Sequence, residues 1–270
     1  NQFQKQDDIS IFSNPLIEHV YEMGSIVKPL TIAAGLDSGV INAKTTYNDT
    51  GTITLNGKKI SNYDGVARGT VNMQDVLNQS LNLGVSFVAS KLEKEKFRDY
   101  MYNFGIGSLT GIDLPNEAKG LTSNLESSRD VEYATASFGQ GIAVSPITIT
   151  RALATLGNGG MLVTPHIVKE IEYSSGMRRS VDIATSTRVL KKDTSEEITR
   201  MLVEVFDKAL LNGKMKMDHY SVAAKTGTAQ MAQETGGYYS DRYLHSFFGY
   251  FPAYEPRFIV FLYTVYPKGV

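Results

Sequence analysis

At 270 residues the chain sits near the upper end of what one hydrophobic core supports, so one domain or two fused lobes is expected. Hydrophobic residues at 42% and charged residues at 20% exclude a disordered chain, and 27 Lys+Arg against 28 Asp+Glu leave −1, which gives no electrostatic footprint for nucleic acid. With no Cys, disulfide frameworks, Cys-ligated zinc, iron–sulfur clusters and thiol catalysis are excluded.

The first residues, Asn1-Gln-Phe-Gln-Lys-Gln-Asp-Asp8, lack the basic start and apolar run of a signal peptide, and a chain that opens on Asn rather than Met reads as a fragment. A helix is predicted from near Ser25 through Leu36. Pro29 is tolerable only in a first helical turn, where backbone N–H groups have no intrahelical partner, and this pins the start. Residues 45–70 read as turns and short strands around Asn48-Asp-Thr-Gly51, Asn56-Gly57 and Asp64-Gly65. A helix from about Met73 takes Asn72 as its N-cap. Helical patterning resumes from Leu83 to about Phe104 with a break near Lys94, and the mixed-sign run Lys91-Leu-Glu-Lys-Glu-Lys96 reads as a solvated face. Gly and Pro punctuation fills 105–120.

Ser145-Pro146 is an N-cap and N1 pair opening a helix over Ile147 to Leu156, stopped by Gly157-Asn-Gly-Gly160. Thr194-Ser-Glu-Glu197 matches a capping box, followed by an apolar stripe at Leu202, Val205, Phe206, Ala209 and Leu210 and a stop at Gly213. Three strands are predicted over about 219–226, 245–251 and 257–266. The last two, joined through Pro252-Ala-Tyr-Glu-Pro256, should run antiparallel. The longest apolar stretch, Phe258 to Tyr266, is far short of the roughly 18 residues that span a bilayer, and its β-branched and aromatic content indicates a buried strand.

Three short motifs carry chemistry. In Ser25-Ile-Val-Lys28, helical i,i+3 spacing puts an amine within reach of a hydroxyl; a neutral amine could take its proton and leave Ser25 a nucleophile. Desolvation or a second cation would lower the Lys28 pKa enough to allow this. Ser80-Leu-Asn82 offers a hydroxyl that can relay a proton and a carboxamide that can grip a peptide amide. Lys225-Thr-Gly-Thr228, placed at the end of a strand Ser221-Val-Ala-Ala224, offers two hydroxyls and an ammonium as a carboxylate-binding strip, with Gly227 leaving room for a substrate backbone. Each motif alone is weak: a capping Ser with a solvent Lys, a helix-end loop and a polar strand end are the better explanations of each taken singly. His19, His166, His219 and His245 show no ligand spacing, no G-x-S-x-G elbow occurs, and no G-x-x-x-x-G-K-[ST] is present.

Together and in this order, 55 and 145 residues apart, the motifs form the S-x-x-K, S-x-N, K-T-G signature, and the chain resembles the transpeptidase domain of penicillin-binding proteins. Flanking residues agree. Tyr21-Glu-Met-Gly-Ser-Ile-Val-Lys-Pro-Leu-Thr31 is similar to the Y-E-P-G-S-x-x-K-P-x-T of these domains, Gly111-Ile-Asp-Leu-Pro-Asn-Glu117 to their G-I-D-L-P-x-E, and Phe138-Gly-Gln-Gly-Ile142 with Ser145-Pro146 to their G-Q-G and helix start. Ala224-Lys-Thr-Gly-Thr-Ala-Gln230 and Ser246-Phe-Phe-Gly-Tyr-Phe-Pro-Ala253 look most like the monofunctional class B group. Met23 stands where the family usually has Pro, and Leu81 where many class B members have a second Ser.

The resemblance implies an α+β transpeptidase-like fold, with a mostly antiparallel sheet flanked by helices. It implies one domain over residues 1–270, with a helix-rich lobe within about 40–145 and a sheet lobe including about 219–266. Outer strands and a covering helix would be cut away at the two ends. It implies Ser25 as the acylated nucleophile, Lys28 as base, Ser80 as proton shuttle, Lys225 holding the field positive and Asn82 orienting the substrate. Thr226 and Thr228 would take the terminal carboxylate of a D-Ala-D-Ala stem peptide, or of a β-lactam antibiotic, with Gly227 of the same substrate-binding strip leaving room for the substrate backbone, and the N–H groups of Ser25 and Thr228 would form the oxyanion hole. No metal or cofactor is implied. The implied partners are peptidoglycan stem peptides, β-lactams and a membrane glycosyltransferase; the implied location is the outer face of the bacterial cytoplasmic membrane, with an anchor beyond this fragment. A β-lactamase, a D-Ala carboxypeptidase and a sensor that acylates once are the alternatives. Glu117, 37 residues after Ser80, is the one candidate for a lactamase base, but it sits in the segment that transpeptidases also carry.

Overall fold

The computed structural model describes residues 12–233 and 236–268; the N-terminal run read for a signal peptide lies outside them. A 3-10 turn, Gly24–Val27, leads directly into α1, Lys28–Asp37. The predicted start near Ser25 is therefore a tight turn closed by the Lys28 N–H on the Ser25 carbonyl, and the α-helix proper begins three residues later. Pro29 falls in its first turn, as its missing N–H requires. Helix α1 is buried from Lys28 to Gly35 and packs against helices from both later parts of the chain, so it is the central post of the molecule.

Strand β1, Thr46–Asp49, pairs antiparallel with β4, Gly69–Asn72. Between them β2, Thr52–Leu55, and β3, Lys58–Ser61, form a hairpin. Asn56 and Gly57 turn that hairpin with φ of 47° and 75°, a conformation their residue types favour. Helix α2, Met73–Asn78, is capped as expected, with Asn72 accepting from the Asp75 N–H. Helices α3, Asn82–Leu92, and α4, Lys94–Asn103, are separated at Glu93, one residue from the predicted break. After α5, Asp130–Ala136, helix α6, Pro146–Ala154, takes Ser145 as its cap on the Thr148 N–H. Two strand pairs absent from the sequence reading follow: β5, Met161–Leu162, with β8, Thr187–Arg188, and β6, Glu170–Glu172, with β7, Arg178–Ser180.

Helix α7, Lys192–Glu204, corrects the predicted capping box. The helix starts three residues earlier with Lys191 as N-cap, and Thr194 lies inside it. The Thr194 hydroxyl donates to Asp37 Oδ1 and the Ser195 hydroxyl to the Leu156 carbonyl, so both anchor α7 to its neighbours instead of to its own backbone. Past Glu204 the helix widens into a π turn, Val205–Ala209, then a short 3-10 segment, Leu210–Gly213, that ends at the expected glycine.

The three predicted strands exist with different limits, β9, Ala223–Ala232, β10, Tyr238–Phe251, and β11, Phe258–Val265, but β11, expected to be buried, has no buried residue because only β10 pairs with it among the described residues. They form an antiparallel sheet in the order β11-β10-β9. Lys225-Thr-Gly-Thr228 thus lies inside β9 rather than at a strand end, because β10 pairs with it from Ala223 to Gln230. One continuous apolar core joins α1, α3, α6 and α7 to Ala223, Phe248 and Tyr250 of the sheet. No described helix is long and apolar enough to cross a membrane.

Candidate active site

The Ser25 turn is held by backbone contacts that a side chain would break. Gly24 adopts φ 63°, and a Cβ there would lie 2.6 Å from the Thr228 carbonyl oxygen of β9. Its N–H donates to the Gly139 carbonyl at 3.2 Å, and Ser246 Oγ of β10 donates to the Met23 carbonyl at 3.1 Å. Gly227 is close-packed as well: a Cβ would meet Ser246 Oγ at 2.5 Å and the Ile26 nitrogen at 3.1 Å. The expected space beside Gly227 is therefore filled by the protein's own Ser25 turn, and the residue's smallness serves strand-to-turn docking.

Helix α1 carries Lys28 into the interior, where it is 1% exposed, and its Nζ donates to the Ser80 carbonyl at 2.5 Å and to Ser80 Oγ at 3.0 Å. Lys225, 3% exposed, donates from Nζ to the same Ser80 Oγ at 3.1 Å and to the Thr226 carbonyl at 3.0 Å. Ser80 can receive both because it sits in the loop between α2 and α3 with φ 55°, which turns its carbonyl and hydroxyl toward α1. Ser25 Oγ, the expected partner of Lys28, makes no hydrogen bond among the described residues; catalytic contacts of this kind often tighten only with substrate bound. Asn82 opens α3 and donates from Nδ2 to the Ser61 carbonyl at 2.9 Å, leaving Oδ1 as an acceptor.

Burial holds Lys28 well below the ordinary lysine range, and the charge of Lys225 lowers it further. Burial alone brings Lys225 down to about 8. Lys225 is thus mostly an ammonium at neutral pH, while Lys28 is the group that can be a free amine beside it. Glu22 is raised by burial; its Oε1 accepts from the Gly141 N–H at 2.9 Å and the Tyr238 hydroxyl at 3.1 Å, which ties the Ser25 turn to the start of β10.

All eight sequence-predicted residues, Ser25, Lys28, Ser80, Asn82, Lys225, Thr226, Gly227 and Thr228, line one cleft of about 460 Å³, with Tyr63, Phe138, Gln140 and Tyr243 completing the wall. These last four were not assigned to the site from sequence. Phe138 and Gln140 lie in the Phe138-Gly-Gln-Gly-Ile142 segment and could have been; Tyr63, 80% exposed on a polar turn, and Tyr243 had no such signal. His245 pairs with Thr228 across the sheet, and its Nδ1 lies 3.3 Å from Thr228 Oγ1; His219 is on an exposed loop. Glu117 lies elsewhere, its carboxylate accepting the N–H groups of Thr110 and Gly111, and among the described residues the cleft lining contains no carboxylate. A larger concavity of about 800 Å³ between α3, α4 and α5 holds none of the motif residues.

The arrangement offers a serine hydroxyl on a tight turn, a buried amine and ammonium sharing a second hydroxyl, and a hydroxyl-lined strand. This is the equipment for nucleophilic acyl transfer.

A family model described as the penicillin binding protein transpeptidase domain matches residues 1–268. The chain is 32% identical over 267 residues to stage V sporulation protein D of Bacillus subtilis, covering 97% of this chain and 41% of that protein. It is 32% identical over 250 residues to the peptidoglycan D,D-transpeptidase FtsI of Escherichia coli, covering 91% of this chain and 39% of that protein. Its structure is similar to that of penicillin binding protein 3 from Mycobacterium tuberculosis in complex with aztreonam, with a TM-score of 0.90 at 24% identity, over 100% of this chain and 61% of that one. It is also similar to the transpeptidase domain of penicillin-binding protein 3 from Burkholderia pseudomallei, with a TM-score of 0.81 at 27% identity, over 96% of this chain and 75% of that one. The chain spans about two fifths of the length of these two curated relatives.

Proposed function

This chain belongs to the penicillin-binding protein transpeptidase domain family, and from that membership we propose that it is the catalytic part of a peptidoglycan D,D-transpeptidase that works through an acyl-enzyme at Ser25. The observation that carries the reading is the convergence of Lys28 and Lys225 on Ser80 Oγ in the cleft that Ser25 lines.

In this reading Ser25 Oγ attacks the carbonyl of the penultimate D-Ala, and its proton passes to neutral Lys28. A new C–O bond forms, the amide C–N bond breaks, and the departing amine takes a proton from Ser80 Oγ, which Lys28 restores across their 3.0 Å hydrogen bond. Lys225 keeps its charge and stabilises the alkoxide-like oxygens of this relay. The N–H groups of Ser25 and Thr228 hold the oxyanion. Thr226 and Thr228 take the substrate carboxylate, Gly227 lets their strand reach the Ser25 turn, and Asn82 Oδ1 accepts a substrate amide N–H. An amine from a second stem peptide then displaces Ser25 and forms the cross-link.

β-Lactams would acylate the same serine and remain attached. A glycosyltransferase partner and action outside the cytoplasmic membrane follow from the same reading.

The test is labelling with a fluorescent penicillin, wild type beside Ser25→Ala, with intact mass followed over hours, and then a D-Ala-D-Ala stem peptide offered with an amine acceptor. A lasting adduct lost in Ser25→Ala, together with acceptor-dependent release of D-Ala, is expected. Rapid loss of the adduct as opened drug would make the chain a β-lactamase, and an adduct without peptide turnover would make it a sensor.

A further inference from the structure

Asp49, at the end of β1, is a charged side chain that the mechanism does not use, yet it is only 1% exposed. Buried carboxyl groups are costly unless their acceptor sites are filled. Here they are filled by four hydrogen bonds: Tyr47 OH to Oδ1 at 3.1 Å, Asn62 Nδ2 to Oδ1 at 3.0 Å and to Oδ2 at 2.9 Å, and the Arg68 N–H to Oδ2 at 3.0 Å. The Arg68 guanidinium goes to Asp64 instead, at 2.7 Å. The Tyr47 hydroxyl is correspondingly raised by burial and by the Asp49 charge.

Asn62 is equally buried, at 1% exposed, and is fully used. With Nδ2 fixed on Asp49, its Oδ1 must face the other way, and there it accepts the Leu83 N–H at 3.2 Å. That N–H belongs to the first turn of α3, where no intrahelical partner exists. On the other side of the same chain segment, the carbonyl of Ser61 receives Asn82 Nδ2. Asn62 N–H and C=O are tied down in turn, to the Gly51 carbonyl and the Gly65 N–H, both at 3.0 Å. Consecutive residues of one strand end therefore hold consecutive residues of α3, and Asp49 locks the strand end.

We propose that Asp49 and Asn62 form a positioning pair that sets the direction of the Asn82 carboxamide in the cleft. The inference rests on the transpeptidase reading, because it assigns Asn82 Oδ1 to the substrate amide. Neither residue touches substrate; both act through Ser61 and Leu83 on Asn82. A carboxamide held by one hydrogen bond on a loose helix start would rotate between presenting Oδ1 and Nδ2, and only the first accepts an N–H.

The experiment is a double-mutant cycle on this chain, read as penicillin acylation resolved into the dissociation constant of the non-covalent complex and the rate constant of acylation. Asn62→Ala should slow acylation by about tenfold to a hundredfold, the size of effect that misplacing a reacting group produces. In an Asn82→Ala background the same change should add less than about twofold, because the residue it acts through is gone. Losses that multiply in the double variant would overturn the proposal and leave the pair a purely structural feature, as would unchanged acylation in a folded Asn62→Ala protein. Tyr47→Phe removes one of the four bonds to Asp49 and keeps Asn62, and it serves in the same cycle should Asn62→Ala not fold. It should slow acylation by about twofold to fivefold, and only where Asn82 is present. Wild-type labelling at Ser25 separates the two readings: no wild-type adduct fails the function, whereas a normal adduct with additive losses fails only the positioning pair.

Discussion

Lys28 and Lys225 reach the same hydroxyl, their Nζ atoms 3.0 and 3.1 Å from Ser80 Oγ, although one sits on the central helix and the other on a sheet strand. Two ammonium groups that close in a dry site repel each other, and the more buried chemistry favours shedding one proton. Lys28 is the one that yields, since it feels both desolvation and the charge of Lys225, and Lys225 retains its proton up to about pH 8.

The pH profile of acylation follows from these directions. The rate should rise with pH as Lys28 becomes a free amine, then fall through about pH 8 as Lys225 loses the charge that holds the site positive. Lys225→Arg keeps the charge at every accessible pH and should lose the alkaline fall, at a lower maximum rate because the planar guanidinium does not fit a point-charge site. Stopped-flow acylation over a range of pH reads both limbs. An alkaline fall that survives in Lys225→Arg would assign it to another group.

Gly227 should not tolerate a methyl group. A Cβ would sit 2.5 Å from Ser246 Oγ and 3.1 Å from the Ile26 nitrogen, so β9 or the Ser25 turn must move. Gly227→Ala is expected to cost about 1–3 kcal/mol of stability, the usual range for overpacking. Acylation should fall more than about tenfold, because the hydroxyl strip and the nucleophile part company. Denaturant unfolding and penicillin labelling of the variant check the two effects, and unchanged values in both would mean the contact is slack.

Glu93 joins α3 to α4 with φ 65° and ψ 159°, a region that suits glycine. Glu93→Gly should therefore raise stability by about 1 kcal/mol, as relief of strain exceeds the entropy cost of the glycine. Acylation should not change, since Glu93 lies on the larger concavity between α3, α4 and α5 and not on the catalytic cleft. Urea unfolding gives the sign, and a destabilised variant would show that the Glu93 side chain holds the junction.

Local chemistry was readable wherever a residue's partner lies a few positions away. Asn72 and Ser145 cap the helices expected of them, Pro29 marks the first turn of α1, and the break between α3 and α4 falls within one residue of its predicted place. The reading failed where partners are distant. Thr194-Ser-Glu-Glu197 looks like a capping box, but Asp37 and Leu156 claim the hydroxyls of Thr194 and Ser195. The strand that carries Lys225 runs on to Ala232 because β10 pairs with it, and nothing inside residues 219–232 announces that pairing.

By itself, then, the sequence determined which groups are available: a serine three residues before a lysine at helical spacing, a second serine with an asparagine, and a lysine followed by two threonines. Those choices are covalent and local. Tertiary structure alone decided how they are wired. Lys28 bonds Ser80 across 52 residues and Lys225 reaches it across 145, while Gly227 is spent on docking its strand against the Ser25 turn. Such contacts depend on packing a whole core around α1, and burial in that core is also what lowers both lysines and lets Lys28 be a free amine beside the Lys225 ammonium.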